Sequence, residues 1–140
     1  MPEIRFDTGL VTYDLNGVCQ VSFNPTDASF VERLFQTFDS LDKYQNEHDA
    51  DLEKAVEPKE LFAHARERDQ AMRDLVDGIF GQPVCEPLFG SMNLYAMADG
   101  LPVWCNLVLA VMDEVDTSFA QEQKRTNPRL AKYTAKYKRK

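Results

Sequence analysis

Hydrophobic and polar positions change their period along this chain. Over the first 23 residues apolar side chains alternate with polar ones: Ile4 and Phe6, then Val11, Tyr13 and Leu15, then a run from Val18 to Phe23. A period of two belongs to half-buried strands. Asp7-Thr8-Gly9 and Leu15-Asn16-Gly17 fall between the runs as turns, and Asn-Gly tolerates the positive φ of a tight hairpin. A small antiparallel ribbon or a three-stranded sheet is expected.

The period then lengthens. Asn24-Pro25-Thr26-Asp27 reads as a helix start, with Asn24 capping, Pro25 at the first helical position and Asp27 reaching back to the free amides. Phe30, Val31, Leu34, Phe35, Phe38 and Leu41 follow at helical spacing and predict a buried face. A polar stretch, Asp42 to Glu53, is expected to hold a bend. Pro58 starts or kinks a second helix. Its apolar face is Leu61, Phe62, Ala65, Met72, Leu75, Val76 and Ile79, while Arg66, Glu67, Arg68, Asp69 and Arg73 decorate the rest. Gly78, Gly81 and Pro83 end it. Residues 81–102 form a connector broken by prolines and glycines, with short helical turns expected near 86–89 and 93–98. A third main helix is predicted over about 101–121, its face lined by Trp104, Leu107, Val108, Val111, Met112, Val115 and Phe119. Thr126-Asn127-Pro128 breaks it. The fold class is therefore α+β: a small N-terminal antiparallel sheet or hairpin, then about three main helices, predominantly helical.

Composition sharpens this picture. At 140 residues the chain fits one domain over 1–123 plus a tail over 124–140. A hydrophobic share of 44% supplies a real core. Met-Pro-Glu-Ile-Arg lacks the regions of a signal peptide. The longest apolar stretch, Leu101 to Met112, contains Asn106 and is shorter than the roughly 20 residues that span a bilayer. A cytoplasmic, non-membrane protein is expected. Cys19, Cys85 and Cys105 are widely spaced among apolar neighbours, which predicts buried reduced thiols and no zinc site. The net charge of -7 conceals an asymmetry: residues 1–123 carry all 23 acids and 8 of the 16 bases, whereas 124–140 carry the other 8 bases and no acid. An acidic body with a basic end calls for an electrostatic partner, either another protein or the body of a sister subunit.

Chemistry-bearing patterns are sparse. There is no HExxH, no glycine-rich phosphate loop and no nucleophile elbow. His48 and His64 sit among charges and read as solvated surface positions. Asp113, Glu114 and Asp116 form an acidic cluster, but on a helix 113 and 116 share a face while 114 points elsewhere, so a hydrated stripe is expected. No catalytic, cofactor-binding or metal-binding residue is assigned. Two features invite a partner. One is the connector, whose Leu88, Phe89 and Tyr95, with Trp104 just beyond it, are placed at or under a docking surface. The other is the tail. On a helix Leu130, Tyr133 and Tyr137 share one face, with Arg129, Lys132 and Lys136 beside it. Bases interleaved with aromatics also suit nucleic acid, but the acidic body repels a phosphate backbone, so a protein partner is favoured.

The quoted segments resemble a known family. Phe23-Asn-Pro-Thr-Asp27 with Arg33-Leu34 is similar to the F-x-P-x-D-x-x-F-x-x-R-L opening of small phage tail proteins. Phe80-Gly81-Gln-Pro-Val-Cys-Glu-Pro-Leu-Phe89-Gly90 resembles their F-G-x(7)-F-G segment, followed by a final amphipathic helix. Together they resemble tail assembly chaperones of phages and prophages of Gram-positive hosts. The resemblance implies binding of the long, helix-rich tape measure protein, recruitment of tail tube subunits and absence from the finished virion, all in the host cytoplasm and without catalysis. Self-association is compatible with it. Two alternatives from other classes are a structural tail or connector subunit and a nucleic-acid-associated regulator acting through the tail.

Overall fold

The computed structural model describes residues 1–40 and 57–137. The expected bend over 42–53, Leu41 and His48 lie outside them. Strands β1 (Val11–Leu15) and β2 (Cys19–Phe23) form an antiparallel hairpin with Tyr13 opposite Val21. Asn16 and Gly17 both take positive φ at its turn, 54° and 72°, as the Asn-Gly pair requires. Alternation on β2 sends Cys19, Val21 and Phe23 into the core. Residues 1–10 add no strand, and Ile4 and Phe6 stand exposed. The ribbon stays two-stranded. The arm is pinned at one point, where the Asn24 side-chain amide donates to the Thr8 carbonyl at 2.9 Å. A Cβ on Gly9 would meet that amide at 2.5 Å, at a φ of +71°.

Helix α1 occupies 28–40 and starts later than the sequence suggests. Asn24 caps a tight turn, accepting from the Thr26 amide at 2.8 Å, while the Asp27 carboxylate accepts from the Ser29 amide at 3.0 Å. Pro25 thus lies in the turn and Asp27 is the helix cap. Phe30 and Leu34 are buried, but Phe35 faces outward and Thr37 takes the inward position, its hydroxyl satisfied by the Arg33 carbonyl. Helix α2 (Pro58–Phe80) begins with Pro58 in its first turn and ends at Gly81 in the left-handed region. Its buried face is Arg68, Met72, Val76 and Ile79, and Phe62 is exposed.

Helix α3 (Cys85–Phe89) and helix α4 (Val103–Lys124) are separated by a miniature hairpin, β3 (Met97–Ala98) with β4 (Leu101–Pro102). That hairpin turns on Asp99 and Gly100, both at positive φ, and replaces the second half of the helical turn expected near 93–98. Both Phe-Gly pairs end helices: Phe80 closes α2 before Gly81, and Phe89 closes α3 before Gly90. After α4 the chain resumes as helix α5 (Pro128–Tyr137), in which no residue is buried.

One continuous core joins these elements. The hairpin gives Val21 and Phe23, α1 gives Phe30 and Leu34, α2 gives Met72, Val76 and Ile79, the connector gives Val84 and Leu94, and α4 gives Trp104, Val108 and Val111. An aromatic column knits the first three: Tyr13 stacks on Phe23 at 4.7 Å, Phe23 on Phe30 at 4.1 Å, and Phe80 tilts against both.

The connector is ordered by α2. Asp69, Arg73 and Asp77 recur every four residues on one face of that helix. Arg73 bonds Asp69 at 3.0 Å and donates to the carbonyls of Gly90 and Met92, both at 2.7 Å. Asp69 accepts from the Leu94 amide at 2.7 Å. Asp77 accepts from the amides of Val84 and Cys85, each at 2.9 Å. Asp69 and Arg73, which the sequence places as surface decoration, are therefore staples. Charged groups hold otherwise stranded backbone, which allows so irregular a segment to pack.

Candidate functional site

The hairpin, α3 and the N-terminal half of α4 enclose an open groove of about 490 Å³, within the range of sites that take a ligand or an anchor side chain. Its geometry follows from α4 having two working stripes. Trp104, Val108 and Val115 point into the core, whereas Val103, Leu107, Ala110 and Glu114, three to four residues apart, line the groove. Leu88 and Phe89 form the α3 wall. Tyr13, Leu15 and Phe23 form the hairpin wall, Glu114 is the acid that α4 adds to the lining, and Asp14, exposed on the other face of the hairpin, stands at the rim.

Glu114 is held in place. The Tyr13 hydroxyl donates to its Oε1 at 3.1 Å. Burial raises the Tyr13 phenol above its ordinary value; a hydrogen bond with Ser118 opposes this and the Glu114 carboxylate adds to it. Asp113 and Asp116 face solvent on the other side of α4. His64 is partly exposed, with Nδ1 3.9 Å from Glu67. The three cysteines are free and buried. Burial pushes the Cys85 thiol far up, and its hydrogen bond with Asp77 pushes the same way; burial also raises Cys105. Among the described residues no group of three or more His, Cys, Asp or Glu is placed to hold a metal ion. Nor is any described helix long and apolar enough to cross a membrane.

The residues singled out in the sequence fall into three sets. Leu88 and Phe89 are half-buried groove walls. Trp104 is fully buried in the core and does not line the groove. Tyr95 packs edge-on against Trp104 with ring centroids 6.3 Å apart and does not line the groove. Arg129, Lys132, Tyr133, Lys136 and Tyr137 all lie on α5. There the Asn127 side chain accepts from the Arg129 amide at 3.0 Å and Pro128 opens the first turn. Tyr133 and Tyr137 stack at 6.4 Å, and Lys132 and Lys136 lie over their rings at 5.3 and 5.4 Å. Leu130 and Tyr137 are 74% and 71% exposed, so the apolar stripe of α5 faces water. The tail is an amphipathic helix in which no residue is buried.

Sequence reasoning missed Tyr13, Leu15, Phe23, Leu107 and Glu114 as walls. The strand alternation and the width of the α4 stripe carried a signal, because a stripe running from Val103 to Val115 is too broad for one core contact.

Comparison with protein-family models, curated proteins and solved structures finds no match to this chain.

Proposed function

We propose that this chain is a tail assembly chaperone of a tailed phage or prophage, acting in the host cytoplasm by protein–protein binding without catalysis. The groove takes the apolar face of a helix from the tape measure protein, and α5 provides a second contact through which further partners, tail tube subunits among them, are recruited. The observation that carries the reading is the groove itself: an apolar cleft walled by Leu88, Phe89 and Leu107, open to solvent, with Glu114 in its lining and Asp14 at its rim. A helix laid into such a groove gains affinity from a few apolar anchors, and flanking charges select its register. The acidic body keeps a complex with a hydrophobic client dispersed. The resemblance of the 23–34 and 80–90 segments points to the same activity.

Co-expression with the tape measure protein of the same genome tests it. The wild-type chain is expected to keep that protein soluble and to co-elute with it. Leu88→Asp/Leu107→Asp, checked for unchanged helical content, is expected to lose both. A tape measure protein that stays insoluble beside the wild-type chain would end the proposal. The chain should also be missing from purified virions by mass spectrometry; its presence there would make it a structural subunit instead.

A further inference from the structure

We infer that α5 of one copy docks in the groove of a second copy, so that two chains cap each other's grooves. The inference rests on the groove being a polypeptide site, as proposed above, and adds its occupant in the isolated protein. Three observations meet. First, α5 has ten residues, none of them buried, and a helix that short is marginal in water without a surface to pack on. Second, the two surfaces match in chemistry. Leu130, Tyr133 and Tyr137 form an apolar stripe flanked by Arg129, Lys132 and Lys136 with no acid, while the groove has apolar walls, Glu114 in its lining and Asp14 exposed at its rim. Third, no residue of the chain's own α5 lines its own groove. Reciprocal exchange about a twofold axis uses both grooves and both helices and closes the assembly.

The full-length chain in sedimentation equilibrium is the test, with helical content measured for each variant. The wild type is expected to be dimeric and to weaken as NaCl rises from about 0.05 to 0.5 M, where charge attraction is screened. Lys132→Glu/Lys136→Glu and, separately, Asp14→Lys each should raise the dimer dissociation constant by about tenfold. All three positions are exposed, so folding is spared. Mixing the two variants should restore a dimer of wild-type strength, because in the mixed dimer one groove pairs the swapped charges with each other and the other keeps the native pairing. A monomeric wild type overturns the inference, as does a dimer indifferent to both variants or a mixture no tighter than the variants alone. So does a wild type that stays monomeric with the α5 amides protected from hydrogen exchange, which would place α5 on its own body. Salt-sensitive binding of single-stranded DNA that is lost in the Lys132→Glu/Lys136→Glu variant, with dimerisation unaffected, would assign α5 to nucleic acid instead. A monomer that still captures the tape measure protein defeats only this inference; a dimer that captures nothing defeats only the chaperone reading.

Discussion

Asp77→Ala is the substitution whose cost can be worked most directly from the structure. One carboxylate oxygen of Asp77 receives the amides of Val84 and Cys85, each at 2.9 Å. These are the first free amides of α3, and the residue at the head of that helix, Val84, has no side chain able to cap them. Val84 and Cys85 are 0% and 1% exposed, so water does not replace the lost acceptor. A buried amide left unpaired costs about 1–3 kcal/mol, and two share one acceptor here, giving a loss of about 2–4 kcal/mol. For a domain of this size that lowers the melting midpoint by roughly 6–14 °C. Asp77→Asn keeps an oxygen acceptor in place and should cost about 1 kcal/mol or less. Urea unfolding followed by circular dichroism measures both. Asp77→Ala within about 0.5 kcal/mol of wild type would refute the capping argument. An Asp77→Asn variant as damaged as the alanine would show that the negative charge matters, and not the acceptor geometry.

Three further outcomes follow from the same packing. Phe30→Ala should destabilise by about 3–5 kcal/mol, because Phe30 is 1% exposed within the aromatic column, whereas Phe35→Ala at 55% exposure should stay within about 0.5 kcal/mol; chemical denaturation separates them. Cys85, raised first by burial and then by its bond to Asp77, should resist alkylation at pH 8 in the folded protein and react on unfolding, as read by mass spectrometry. The Tyr13 phenol, raised mainly by burial, contributes stability that is complete below the unfolded value of about 10 and is lost as pH rises through the folded value. Tyr13→Phe should therefore flatten the fall in melting temperature above pH ~10 and leave the neutral range with a loss of about 1 kcal/mol.

The elements that stand out in the sequence are those with a single strong period. Val11 to Phe23 alternates around Asn16-Gly17 and becomes a hairpin; the stripe from Met72 to Ile79 becomes the buried face of α2. Phe35, Phe62 and Phe119 fail as core positions because each lies at the edge of its stripe, where a turn of a few tens of degrees decides between core and solvent. Asp69, Arg73 and Asp77 could not be read as staples. Their spacing of four is ordinary for an exposed helix face, and their partners are backbone groups 7 to 25 residues away. The Asp99-Gly100 turn did carry a local hairpin signal, but its flanking strands have two residues each, too short to show alternation. The groove is less legible still, since it exists only where β1, α3 and α4 meet, and no period in one segment reports a gap between three. The α5 helix is visible as a stripe of Leu130, Tyr133 and Tyr137, and the exposure of that stripe is what turns it into a surface.

Hydrogen exchange of the chain alone and with its captured polypeptide measures the central claim, that the cleft between hairpin and α4 holds another chain. Slowed exchange is expected over 13–16, 85–90 and 103–114, with the α2 amides behind the core unchanged. Capture that leaves those three segments exchanging as fast as before would show that the polypeptide is held elsewhere.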